Sequence, residues 1–141
     1  MARLIELARS PYPLPLAGLK TGHSLLALDN LVAAIDCVLA APTPLRRPLI
    51  VADPTPVTIA AMIAAMRQAL GRSPALFNVP RPLLAAALRA RGLQNAQALF
   101  GSLVADPSAL LTLNWAPTVA TAAGLAALMR HAAESELVQA N

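Results

Sequence analysis

Apolar residues recur along this chain in two rhythms, and the breaks between them fall on proline and glycine. Ile59, Met62, Ile63, Met66 and Leu70 keep the three-and-four spacing of one helix face. Thr58 stands before them as an N-cap, and Gly71 follows where a left-handed residue ends a helix. A second stripe, Leu31, Ala34, Ile35, Val38 and Leu39, predicts a helix capped by Asp29 or Asn30 and stopped by Pro42 and Pro44. Pro82 opens a third helix with Leu83, Leu84, Ala87 and Leu88, closed by Gly92. Residues 2–8 read as the end of a helix, and 93–100 as a further helical piece. Asp106-Pro107 forms an N-cap and first-turn pair for a helix ending near Leu113. The last helix is expected from near Thr118, fraying by Glu136.

Between these helices lie short runs of strand type. Residues 10–16 are held extended by Pro11, Pro13 and Pro15, because each proline pushes its predecessor out of the helical region. Residues 23–28 and 76–79 read as strands. Leu49-Ile50-Val51 does not alternate with polar residues, which predicts a strand buried on both faces. The expected fold class is α/β, helix-rich, with a few short strands and about five to six helices, in one unit covering 1–141.

Composition narrows the function classes. Hydrophobic residues are 57% and charged residues 13%, about half the usual quarter, so this is not a disordered chain. One cysteine, Cys37, excludes a disulfide framework and a multi-cysteine zinc site, and mid-helix with no neighbouring base it reads as an inert thiol. The net charge of +4 comes from scattered arginines with few aromatics between them, which argues against nucleic acid as partner. The longest uncharged run, 107–129, is broken by Pro107, Asn114 and Pro117, leaving twelve residues where a membrane span needs about 20. Arg3, Glu6 and Arg9 occupy the place of a leader's apolar centre. The expectation is a soluble, cytoplasmic protein with no membrane partner.

Catalytic constellations are missing from the residue pattern. The six glycines form neither a dinucleotide fingerprint nor a phosphate-binding loop. His23 and His131 have no ligand-spaced companions, so no metal site is expected, and there is no nucleophile elbow. Asp106 with Ser108 is explained as a helix cap, Trp115 as a ring pinning the loop between two helices, and the methionines as packing.

Five segments, in order, give the chain a resemblance. They are Leu14-Pro15-Leu16-Ala17-Gly18, then Gly22-His23-Ser24-Leu25-Leu26-Ala27-Leu28-Asp29-Asn30-Leu31, then 47–62. Val104-Ala105-Asp106-Pro107-Ser108 with Leu113-Asn114-Trp115-Ala116-Pro117 comes next, and Gly124-Leu125 closes the series. Together they resemble the C-terminal, substrate-binding part of the extended short-chain dehydrogenase/reductases, specifically the NAD-dependent nucleoside-diphosphate-sugar epimerases and dehydratases (UDP-glucose 4-epimerase-like).

The resemblance implies that 14–18 passes the nucleotide base, through Pro15 and Ala17, and that His23 lies at the diphosphate, as substrate-binding positions. His23 stands where the family has an arginine, Asn30 where it has an aspartate, Asn114 where it has a glycine, and Ala109 where it has a lysine. A second substrate arginine of the family would fall near Ala98. The family's dinucleotide-binding turn and its Tyr-x-x-x-Lys pair belong to an N-terminal half that these 141 residues do not include. The resemblance therefore implies a substrate-side portion that binds no cofactor and has no catalytic residues alone, with NAD requiring a separate Rossmann-type chain. The alternative is a degenerate, non-enzymatic interaction module that kept the fold and lost the ligand site. In the resembled fold the helix 30–40 and the strand 49–51 pack on the dinucleotide-binding half. Without it, a homodimer or higher oligomer is expected across that helix or that strand edge.

Overall fold

A computed structural model describes residues 2–42, 45–90 and 100–139, with side chains through Ala133. The described elements are α1 (Ala2–Arg9), β1 (Gly22–His23), α2 (Leu28–Leu39), β2 (Val57–Thr58), α3 (Ile59–Ala69), α4 (Arg81–Ala90), α5 (Ser108–Leu111) and α6 (Thr121–Gln139). The fold is helix-rich α/β, as the pattern predicts. No helix among the described residues is long and apolar enough to cross a membrane.

The centre of the molecule is α3. Thr58 Oγ1 accepts from the Ala61 N–H at 3.1 Å, the expected cap. At the other end Gly71 sits at φ +69°, its N–H reaching Gln68 O while Arg72 N–H reaches Arg67 O. That paired closure satisfies carbonyls the last turn would otherwise leave open. Ile59 and Ile63 face one cluster with Leu14, Leu16, Leu19 and Leu84. Met62 and Met66 face another with Ala8, Leu125 and Met129, so α3 is packed between α1 and α6.

Arg67 is also buried on α3, although its charge would place it outside. Its guanidinium donates to Tyr12 O at 2.8 Å, Pro74 O at 2.9 Å, Ser10 O at 3.1 Å, Leu7 O at 3.3 Å and Ala75 O at 3.5 Å. These carbonyls come from the C-terminal end of α1, the proline segment after it and the turn after α3. One charged fork thus ties three chain segments, replacing the water those carbonyls lost. Ala75 is held at φ 45°, a left-handed conformation unfavourable for alanine, while its carbonyl also accepts from Leu14 N–H.

Several expectations about strands and boundaries are corrected. The 23–28 strand shrinks to Gly22–His23, because Leu28 already begins α2. The cap of α2 is Ala27, with no side-chain bond, and Asn30 is buried inside the helix rather than capping it. Along α2, Ala34 is buried and Leu31 and Val38 half-buried, whereas Ile35 and Leu39 face water. Residues 49–51 are not buried on both faces: Leu49 and Val51 pack toward Ala34, Leu110 and Trp115, and Ile50 is 54% exposed. The 76–79 strand reduces to a bridge of Leu76 with Leu14, and of the segment expected to extend, Pro15 and Leu16 already belong to a turn over 15–18. The cap of α5 is Pro107, with no side-chain bond, rather than Asp106; the helix runs from Ser108 to Leu111, and the Asp106 carboxylate accepts Ser108 N–H at 2.9 Å in the turn before it. α6 starts at Thr121 and runs on to Gln139. Gly92, Ala98 and most of the 93–100 piece lie outside the described residues.

Candidate functional site

The small sheet is built around His23. β1 pairs antiparallel with β2, His23 opposite Val57, and on its other side His23 bridges Leu103 in parallel. Leu103 N–H donates to Gly22 O at 3.0 Å and Ser24 N–H to Leu103 O at 2.8 Å. Directly opposed residues in an antiparallel pair project to one face, so the imidazole and the Val57 side chain share a side. The ring is half-buried, and its Nε2 is buried with no hydrogen-bond partner. Buried polar atoms are normally paired. That orphaned nitrogen stands at a position that the family resemblance places at the diphosphate; among the described residues the Trp115 Nε1 is likewise buried without a partner.

Pro15 and Ala17 belong to a different part of the surface. They lie in the turn after Leu14, which is anchored by buried Leu14, Leu16 and Leu19. Ala17 is exposed, and its N–H is already spent on Phe77 O at 3.1 Å. Among the described residues no hydrogen bond joins this turn to His23.

Between β2 and the start of α6 runs an open groove of about 300 Å³, lined by Asp53, Thr55, Val57, Pro117, Val119 and Thr121 among others. Its polar floor is a closed network. Asn30 Nδ2 donates to Asp53 Oδ1 at 2.8 Å and to Val119 O at 2.9 Å. Asn30 Oδ1 accepts from Thr118 N–H at 2.8 Å and Val119 N–H at 2.9 Å, and Asp53 Oδ2 takes the Thr121 hydroxyl at 2.7 Å. An asparagine can do this because it offers two donors and an acceptor in one plane. Every polar atom of Asn30 and both carboxylate oxygens of Asp53 have partners, so the network locks the loop before α6 to α2 and leaves no free base.

The remaining chemistry-bearing residues are engaged structurally. The Cys37 thiol donates to Leu113 O at 3.3 Å, and Trp115 is buried against Ala34 and Leu110. Among the described residues no three His, Cys, Asp or Glu side chains gather as metal ligands. The sequence pattern leaves Arg67 unremarked and gives Asn30 the part of a cap rather than of a buried network centre. Arg67 had a signal, because it stands four residues after Ile63 and so on a buried face. Comparison with protein-family models, with curated proteins and with solved structures finds no match for this chain.

Proposed function

We propose that this chain is the substrate-side portion of a nucleotide-sugar epimerase/dehydratase-like protein, cytoplasmic, and not catalytically competent alone. The observation that carries the reading is a set of strand-type segments with no sheet to join. Among the described residues, 45–52 make no backbone hydrogen bond, although Leu49 and Val51 are packed inward and Ala52 is buried. Backbone groups at such positions are normally paired, and a β-branched run with open donors and acceptors suits the edge of a sheet supplied by another chain. A second support is Asn114, whose φ of 61° is the left-handed geometry for which the resembled family's glycine is suited. NAD, in this reading, is held by a separate Rossmann-type chain.

The test is calorimetric. The isolated protein binds neither NAD(H) nor NADP(H), and adding a Rossmann-type chain encoded beside it restores NAD binding; a micromolar affinity of the isolated protein would refute the reading. Within the mixed complex, His23→Arg is expected to tighten UDP-glucose by roughly 1–3 kcal/mol, because a guanidinium can bind the diphosphate through two parallel hydrogen bonds and an imidazole cannot. An unchanged affinity removes His23 from the site.

A second reading is favoured by an observation of its own. His23, Asn30 and Ala109 stand where the family has charged groups, and α2 presents a row of uncovered aliphatic side chains. Those features suit an interaction module that has kept the scaffold without the ligand site.

A further inference from the structure

We draw no further inference here: the strongest candidate, the exposed apolar edge of the small sheet at Leu103 and Val104, carries nothing because no observation in the structure shows what covers it.

Discussion

α2 and α3 are apolar helices of similar length, and the fold treats them in opposite ways. α3 is enclosed: Ile59, Met62, Ile63, Met66 and even Arg67 are buried between α1 and α6. α2 is enclosed on one side alone, where buried Asn30 and Ala34 are the anchors, and its large aliphatic residues stand outward. The difference lies in what the chain provides to cover each helix. Around α3 the long helix α6 and the Leu14–Leu19 turn supply matching apolar surface. Around α2 the chain supplies Leu110, Trp115 and a few partly buried aliphatics, a smaller cluster. An apolar stripe states that a face will be covered; it does not state by which chain.

Substitutions along the two helices should separate these cases. The largest effect is expected at Arg67→Met, which keeps the stem but leaves the carbonyls of Leu7, Ser10, Tyr12 and Pro74 without their donor. Chemical denaturation should show a loss of about 3–5 kcal/mol, as when several buried acceptors lose a shared charged donor at once. Ile63→Ala, at the most enclosed point of α3, should cost about 3 kcal/mol by the same measurement, through lost burial and a cavity. A cost below about 1 kcal/mol there would mean that α3 is not the enclosed helix described here. Ala75→Gly should stabilise by about 0.5–1 kcal/mol, since glycine relieves the left-handed backbone at a smaller entropic cost. Leu39→Ala on α2 should change monomer stability by less than about 0.5 kcal/mol, as for surface positions generally. A loss of several kcal/mol at Leu39 would show that this face of α2 is covered within the chain and would end the contrast.

How far the fold was legible differs between the same two helices. For α3 everything lay nearby in sequence: Thr58, the stripe and Gly71 act within a few residues of what they control. For α2 the decisive event is distant. Asn30 resembles a cap locally, but Thr118 and Val119 draw its amide inward from 88 and 89 residues away, and the helix starts at Leu28 instead. The same holds at the candidate site. The place of His23 on a strand was legible, since 23–28 has strand composition, but its neighbours Val57 and Leu103 come from other segments.

What the amino-acid sequence determined by itself is therefore the local and the compositional: a helix-rich α/β chain, the termini of α3, the buried methionines, and the lack of a dinucleotide-binding turn. These follow from backbone preference and side-chain spacing, which act over a few residues. Tertiary structure alone decided that Arg67 would bind five carbonyls, that Asn30 would knot three segments, and that the run at Leu49 to Val51 would find no ladder among the described residues. Each of those outcomes depends on hydrogen-bond partners brought together by chain closure, and no local pattern encodes a partner's distance.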